Sequence, residues 1–429
     1  MHRTRRATRS RFCATLMLAG LAAAAQAQDD RHTLAARLDV SSVAPSTLGA
    51  SWLNGSLGKL RYDEGHDDLT LNRFVVKYDG RLRPTLTARV VADYIDDGDS
   101  GVDLTEAYLE WQPVPQSRRR HRLRAGAFFP PLSLENVDPA WESPFSLSSS
   151  AVNSWFGEEL RTIGAEWSMQ RAFGEPSARR HVRTFAAAYL GNDPAGMLLV
   201  WRGWSLHDRQ SRLGDVLPLP PLPQLGPGAM FEAQAPRAEP FLETDDRLGY
   251  YAGAELALNR KALLTFTQYD NHADPLSLRD GQYGWSTRFD HVGAQFELPG
   301  GVGLVAQWLD GRTAMGPRLS GPRVVDADFN AYFVLLTKPI ASHRVSLRFD
   351  DFSITDNDDT PLDDNSESGH GWLVGYRYSS SPRLAVDVEW LEVDSERPAR
   401  AYFGQSPVSK ERLVQLQVSV RLGRMVESR

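Results

Sequence analysis

The chain has 429 residues, of which 24% are charged and 41% hydrophobic, and its formal net charge is −6 at pH 7. An acidic balance of this kind disfavours nucleic-acid binding, which needs a basic surface. The only cysteine is Cys13, within the leader described next. We therefore expect no disulfide, thiolate metal site or cysteine nucleophile in the mature chain.

Residues 1–27 have the pattern of a secretory signal peptide. An arginine-rich start precedes a short apolar core over Phe12 to Ala24, and Ala25-Gln26-Ala27 is a small-x-small cleavage site. Removal of the five leader arginines leaves 43 basic against 54 acidic residues, a net charge of −11. The pattern predicts export and a mature chain that begins near Gln28.

Period-two alternation predicts β-strands through most of the mature chain. Between Arg412 and Leu422, for example, Val414, Leu416, Val418 and Val420 alternate with polar side chains. We predict sixteen strands, near 48–62, 70–79, 85–96, 101–112, 121–129, 158–169, 181–190, 246–258, 261–270, 285–298, 302–312, 326–338, 342–354, 370–380, 383–395 and 410–422. Many have the roughly ten residues that a tilted strand needs to cross a hydrocarbon layer.

The predicted connections alternate in length along the C-terminal half. Short ones at 259–260, 299–301, 339–341 and 381–382 separate long ones at 271–284, 313–325, 355–369 and 396–409. Antiparallel transmembrane β-barrels have this asymmetry, with short periplasmic turns and long external loops. We expect such an all-β barrel over 48–422, an N-terminal periplasmic segment at 28–47 and a tail at 423–429.

The same parity decides two segments of the N-terminal half. Residues 197–206 also have a strand-like pattern, but a strand there would place the long 130–157 connection on the periplasmic side. We therefore expect 191–245 to be one large external loop. Its run from Pro218 to Pro223 cannot donate ladder hydrogen bonds at the prolines, which also predicts a loop.

The stretch from Arg122 to Glu135 (RLRAGAFFPPLSLE) resembles the phosphate-selective porin O and P family, which has a strand of this type before an inward-folded loop. The resemblance implies a homotrimeric, sixteen-stranded porin of the outer membrane of a Gram-negative bacterium. Its partners would be small solutes or anions, outer-membrane lipids, lipopolysaccharide and the barrel-assembly machinery. Two features depart from the family: the chain has only five lysines, and it continues past Leu422 without a terminal aromatic residue.

Alternation and the resemblance together select the candidate site residues. The predicted pore-lining residues are Arg73, Lys77, Arg89, Arg122, Arg124, Arg344, Arg348, Arg377 and Arg421. The predicted constriction loop is 130–157, with Glu135, Asp138, Trp141, Glu142 and Trp155 as its candidates. Carboxylates share the inward register with the arginines, so we expect at most a weak preference for anions.

The chain has no G-x-S-x-G, H-E-x-x-H or Walker motif, so we expect no catalytic residues, metal or cofactor. The acidic residues between Asp356 and Asn365 could offer oxygen ligands to Ca²⁺, but they lack the EF-hand spacing, and a solvated loop is the simpler interpretation. We predict a passive diffusion channel for small hydrophilic solutes. The alternatives are a loop-plugged barrel with an adhesive, structural or enzymatic role and a secreted soluble β-protein that binds polysaccharide.

Overall fold

The structure, a computed structural model, describes residues 28–29, 31–47, 49–66, 69–97, 101–115, 117–175, 180–259, 261–319 and 321–423. The predicted signal peptide lies outside these residues, as does the predicted tail except for Gly423. Sixteen long antiparallel strands each pair with the next in sequence, and the first pairs with the last. This closed barrel confirms the predicted fold class.

The barrel strands are β1 (His32–Ser46), β2 (Thr70–Arg83), β3 (Leu86–Ile95), β4 (Val102–Trp111), β5 (Arg119–Phe128), β6 (Thr162–Phe173), β7 (Arg180–Leu190), β8 (Gly249–Asn259), β9 (Ala262–Asp270), β10 (Ser286–Leu298), β11 (Val302–Arg318), β12 (Arg323–Ile340), β13 (His343–Asp356), β14 (Glu367–Ser381), β15 (Leu384–Glu396) and β16 (Val408–Leu422). Gln28–Asp29 adds a two-residue strand beside the start of β1.

Alternate residues of each strand face the lumen and the outside of the barrel. On β16, Val414 and Leu416 are exposed on the outer wall, whereas Gln415 and Gln417 are buried in the lumen. The outer wall also carries half-exposed tryptophans, namely Trp111, Trp167, Trp308, Trp372 and Trp390. An apolar outer band with aromatic side chains is the surface that hydrocarbon and its interfaces require of a membrane barrel.

The connections divide the barrel into two ends. One end, called the loop end here, carries 47–69, 96–101, 129–161, 191–248, 271–285, 319–322, 357–366 and 397–407. The other, the turn end, carries 84–85, 112–118, 174–179, 260–261, 299–301, 341–342 and 382–383. Every long connection lies at the loop end, so the parity argument for 191–245 was correct.

The first strand was placed wrongly. It is His32–Ser46, which pairs with β16 and β2, and 48–62 is not a strand. In β1 the outward residues Leu34, Leu38 and Val40 alternate with polar lumenal residues, but Ser42 and Ala44 also face outward and Val43 faces the lumen, so the contrast is lost toward the end of the strand. The apolar residues Trp52, Leu57 and Leu60 led to the wrong strand prediction, but they belong to a loop that packs inside the lumen. The barrel therefore begins near His32, and the predicted periplasmic segment at 28–47 is mostly barrel wall.

The predicted long loop at 313–325 was also wrong. Strands β11 and β12 continue to Arg318 and from Arg323, so that only 319–322 connects them. Gly316 and Pro317 gave a false loop signal, because the β11–β12 ladder shifts register between Met315 and Arg318 and tolerates them there.

Two helices lie in the long loops and not in the wall. Helix α1 (Ala151–Glu159) starts where the Ser150 side chain accepts a hydrogen bond from the Asn153 backbone N–H, and all nine of its residues are buried. Helix α2 (Met197–Trp201) occupies the strand-like segment 197–206, which is therefore not a membrane strand. Among the described residues, no helix is long and apolar enough to cross a membrane.

Candidate functional site in the barrel lumen

Three loop segments enter the lumen from the loop end: 51–62, 130–161 and 192–215. We call them the lumenal loop layer. Backbone hydrogen bonds join them to one another: Leu206 N donates to Lys59 O at 3.0 Å, Ser149 N to His207 O at 2.9 Å and Ser211 N to Gly157 O at 3.0 Å. The segments therefore form one connected layer, and the barrel wall surrounds it.

The second of these segments, 130–161, is anchored to the wall by carboxylates and an arginine. Arg348 on β13 lies 2.6 Å from Glu135 and 2.7 Å from Asp350, and all three side chains are fully buried. Asp350 accepts a hydrogen bond from Ala151 N at 3.1 Å, at the start of α1. Glu389 on β15 accepts one from Leu147 N at 2.6 Å. The predicted inward loop is thus attached to β13 through Glu135 and Ala151 and to β15 through Leu147.

Aromatic residues attach the same loop to the neighbouring strands β10 and β12. The ring of Trp155 lies 5.3 Å from Phe289 on β10 and 5.2 Å from Phe329 on β12, both edge to face. Trp141 stacks on Phe129 with ring centroids 4.6 Å apart. Burial of such rings contributes a large part of the packing energy of a loop. The loop therefore has a well-packed position inside the barrel.

The third segment, 192–215, is locked to α1 by charge. Arg202 donates to Glu158 at 3.0 Å, and both are buried. Glu159 accepts hydrogen bonds from Leu198 N at 2.9 Å and Gly196 N at 3.1 Å, which fixes α2 on α1. Burial raises the pKa of Glu159 to about 7. Its charge is therefore sensitive to pH close to neutrality.

Below this layer, at the turn end, the lumen is open. Two adjoining cavities of about 1100 and 800 Å³ share lining residues such as Arg122, Asp138 and Gln170, and we call them together the vestibule. Among the described residues that line it, ten are Lys or Arg and six are Asp or Glu. A wall of this composition is hydrated and modestly positive.

Between the vestibule and the loop end lies a much smaller polar cavity of about 40 Å³, room for roughly one to three water molecules. We call it the constriction cavity. Its charged lining consists of Arg37, Asp39, Arg73, Glu142, Asp208 and Arg377. Glu142 of the inward loop forms ion pairs with Arg37 and, at 3.1 Å, with Arg73. Its volume is far smaller than that of the vestibule, which makes it our candidate for the constriction.

The predicted pore-lining residues all fall on the lumenal register, but at different depths. Lys77, Arg89, Arg122, Arg124 and Arg344 line the vestibule, Arg73 and Arg377 line the constriction cavity, and Arg421 lies at the turn end. Arg348 is fully buried beneath the inward loop and has no contact with open space. Of the loop candidates, Asp138 and Trp141 reach the vestibule, Glu142 the constriction cavity, and Glu135 and Trp155 anchor the loop.

Three arginines surround a single carboxylate in the vestibule wall. Arg124 lies 2.9 Å from Glu166, whereas Arg122 and Arg183 lie 3.5 and 3.4 Å from the same group. Arg124 is also held by the ring of Phe128, with 4.2 Å between the guanidinium carbon and the ring centroid. Arg122 also lies 3.7 Å from Glu110, and Arg183 lies 3.7 Å from Glu255, so three carboxylates share the charge of these arginines. The net positive charge of the vestibule belongs to its whole lining, in which Lys and Arg outnumber Asp and Glu.

Several lumenal residues were missed in the sequence. Arg183 has the same alternation signal as the predicted arginines and could have been found. Arg37 was missed because β1 was missed. Lys59, whose pKa burial lowers to about 7, and Asp208 lie in the lumenal loop layer, where no periodicity marks them. Only the folded loops bring these two groups into the lumen.

The chain matches no protein-family profile and no curated protein sequence. Its fold is similar to that of the outer membrane channel DcaP of Acinetobacter baumannii, with a TM-score of 0.53 over 93% of this chain and 100% of that one, at 12% identity. It is also similar to OmpTdeltaL8, a loop deletion mutant of an outer membrane protein of Vibrio cholerae, with a TM-score of 0.50 over 91% and 100% of the two chains, at 10% identity. Neither of these two proteins is described as a phosphate-selective porin, so the resemblance to the porin O and P family stays a prediction from the sequence. Identities this low establish the fold alone: this chain has the closed sixteen-stranded barrel of outer-membrane proteins.

Proposed function

We propose that the chain is an outer-membrane diffusion channel for small hydrophilic solutes, with a weak preference for anions. The single observation that carries the proposal is the charged, hydrated space inside the barrel. The vestibule at the turn end and the constriction cavity at the inward loop share Asn136 in their lining, and ionisable side chains line both. A barrel with a purely structural role has no need of such a lining.

The proposed selectivity follows from the charges that line the vestibule and the constriction cavity. Positive groups exceed negative ones in the vestibule. At the constriction cavity, three arginines face Asp39, Glu142 and Asp208. Paired charges there attract and retain neither sign strongly, so the vestibule arginines set the preference. The chain has few lysines, and its constriction arginines are paired with carboxylates. Both features argue against a dense row of basic residues that would bind phosphate.

In the proposed orientation the turn end is periplasmic and the loop end external, as the asymmetry of connection lengths favours. The mature chain would be exported, inserted by the barrel-assembly machinery and surrounded by phospholipid and lipopolysaccharide. We propose no catalytic role. Single-channel recording in planar bilayers under a salt gradient tests the proposal: we expect discrete conductance steps and a reversal potential of anion-selective sign.

The second candidate, a loop-plugged barrel, rests on the lumenal loop layer. Trp52, Trp155, Trp201 and Trp204 are all buried inside the lumen and belong to the main apolar cluster of the protein. A layer packed in this way could close the barrel permanently. The same recording separates the two candidates, because a permanently plugged barrel passes no current when correctly folded.

A further inference from the structure

Three carboxylates converge where the 191–248 loop leaves and rejoins the wall. Asp193 follows β7, and Glu243 and Asp245 precede β8. Single carboxylate oxygens of the three residues lie within 4.8 Å of one another. Residues 193, 243 and 245 are far apart in sequence and match no metal motif, so only the fold reveals the cluster.

A buried oxygen without a donor distinguishes this cluster from an ordinary acidic surface. Asp193 is 1% exposed. Its Oδ2 accepts hydrogen bonds from the backbone N–H and, at 2.9 Å, from the hydroxyl of Thr244, but its Oδ1 is buried and accepts none. A buried carboxylate oxygen that lacks a partner costs free energy unless a proton or a cation reaches it.

The neighbouring cations do not supply that partner. Among the described residues, two cations contact the cluster. Arg247 Nε lies 3.8 Å from Asp245, and its Nη2 pairs with Asp274 at 2.8 Å. Arg279 Nη1 donates to the backbone carbonyl of Glu243 at 3.5 Å and pairs with Asp246. Among these residues, neither the Asp193 carboxylate nor the Glu243 carboxylate forms an ion pair. Burial and the nearby Glu243 and Asp245 raise the pKa of Asp193 to about 7. The cluster therefore carries an excess of negative charge that only a proton or a bound cation relieves.

From this geometry we propose that Asp193, Glu243 and Asp245 form a divalent-cation site selective for Ca²⁺. Ca²⁺ accepts six to eight oxygen ligands at roughly 2.3–2.6 Å in irregular geometry, and three oxygens within 4.8 Å of one another can share one such ion. Mg²⁺ demands a near-ideal octahedron at about 2.0–2.1 Å and usually keeps several of its waters, so a site with three carboxylates favours Ca²⁺. Water fills the remaining positions.

The site would fasten the base of the loop that contains α2. Asp193 lies four residues before Met197, and Glu243 accepts a hydrogen bond from Gly191 N at 2.7 Å. A cation shared by the two ends of the loop would hold α2 and the rest of segment 192–215 in the lumen. This inference concerns the loop alone and holds whether or not the barrel conducts.

Calcium titration of the refolded barrel tests the site. The barrel is refolded into micelles free of lipopolysaccharide and phosphate, stripped with EGTA, and titrated calorimetrically with CaCl₂ and MgCl₂ at pH 7.5. We expect one Ca²⁺ per chain, Mg²⁺ affinity weaker by about tenfold or more, and a higher melting temperature with Ca²⁺. Asp193→Asn and Glu243→Gln should each weaken Ca²⁺ binding by about tenfold or more.

Asp246→Asn is the matched control. It removes the same charge next to the cluster, its side chain is 88% exposed, and its backbone φ of 60° suits asparagine. It should bind Ca²⁺ as the unmodified barrel does. No Ca²⁺ binding by the unmodified barrel, or equal affinity in Glu243→Gln and Asp246→Asn, would overturn the assignment. Glu243→Gln decides the question if Asp193→Asn does not fold.

Discussion

Arg348 on β13 and Glu135 in the inward loop form an ion pair with 2.6 Å between Nη1 and Oε1, and neither side chain is exposed to solvent. Removing one partner of such a buried pair leaves an uncompensated charge, which costs about 3–5 kcal/mol. The pair thus fixes the loop inside the barrel, and the position of the loop sets the width of the constriction cavity.

Arg348→Met should therefore release the inward loop. We expect larger and noisier single-channel currents and faster proteolysis within 130–157. The control is Arg421→Met, which removes a lumenal arginine at the turn end of β16, away from the inward loop. Unchanged currents in Arg348→Met, from a barrel that still shows heat-modifiable mobility on gels, would mean that this pair does not hold the constriction.

The outer wall gives a test of the membrane assignment. On β10, Ala294 faces outward between Val292 and Phe296, whereas the next residue, Gln295, faces the vestibule. Ala294→Arg should impair assembly by about 2–4 kcal/mol if it lies near the bilayer midplane, and Gln295→Arg should assemble normally. Urea titrations of both variants in vesicles measure the difference. Equal stability would show that this band of the wall does not face lipid.

Ion selectivity should depend on the excess of Lys and Arg over Asp and Glu in the vestibule lining. Replacing both Arg122 and Arg344 by glutamine removes two positive charges from the vestibule lining. The reversal potential in a KCl gradient should shift toward cation selectivity. Arg288→Gln removes a charge from the outer face of β10 and should leave the reversal potential unchanged. If the double variant shifts the reversal potential no more than Arg288→Gln does, the selectivity does not originate from these two arginines.

Glu159 should make the lumenal loop layer more stable in mild acid. Burial raises its pKa in the folded barrel to about 7, above its ordinary value of 4.5, so the folded state binds the proton more tightly than the unfolded state. The contribution of Glu159 to the free energy of unfolding should rise as the pH falls from about 7 to 4.5, and it should stay constant below that range. Melting curves at pH 5 and pH 8 should differ less for Glu159→Gln than for the unmodified barrel. If the melting temperature of Glu159→Gln changes between pH 5 and pH 8 as much as that of the unmodified barrel, Glu159 is not the group responsible.

The absence of cysteine after Cys13 allows orientation to be mapped with single cysteines. Asp359 is exposed at the loop end, and Ser342 is exposed at the turn end. We expect a membrane-impermeant maleimide to label Asp359→Cys, but not Ser342→Cys, on intact cells, and to label both after lysis. The reverse pattern on intact cells would invert the proposed orientation.

Alternation and loop parity sufficed for most of the barrel. Side chains on a strand alternate between its two faces. The alternation of apolar and polar residues from Val414 to Leu422, and in the other well-patterned strands, therefore predicts both the strand and the face that points into the lumen. The same rule placed all nine predicted arginines and lysines on the lumenal register. It failed at β1, where Ser42 and Ala44 on the outer face and Val43 on the lumenal face weaken the contrast, and between β11 and β12, where a register shift accommodates Gly316 and Pro317.

The interior of the lumen could not be predicted to the same depth. The inward loop was placed by parity and resemblance, but its partners Arg348, Asp350 and Glu389 depend on how the loop folds. Segment 192–215 was expected outside the barrel, yet its apolar residues, including Trp201 and Trp204, are buried within it. A loop has no periodicity that reveals which wall it will contact, so its packing depends on the three-dimensional fit.

The central claim is that residues of the inward loop form the constriction of a conducting barrel. Single-channel recording of the unmodified barrel, and of a variant with 138–152 replaced by a short Gly-Ser linker, tests it most directly. We predict small discrete steps from the former and larger steps from the latter, at the same anion-selective sign. Folded barrels that give no steps in either form, or steps of equal size in both, would contradict the claim.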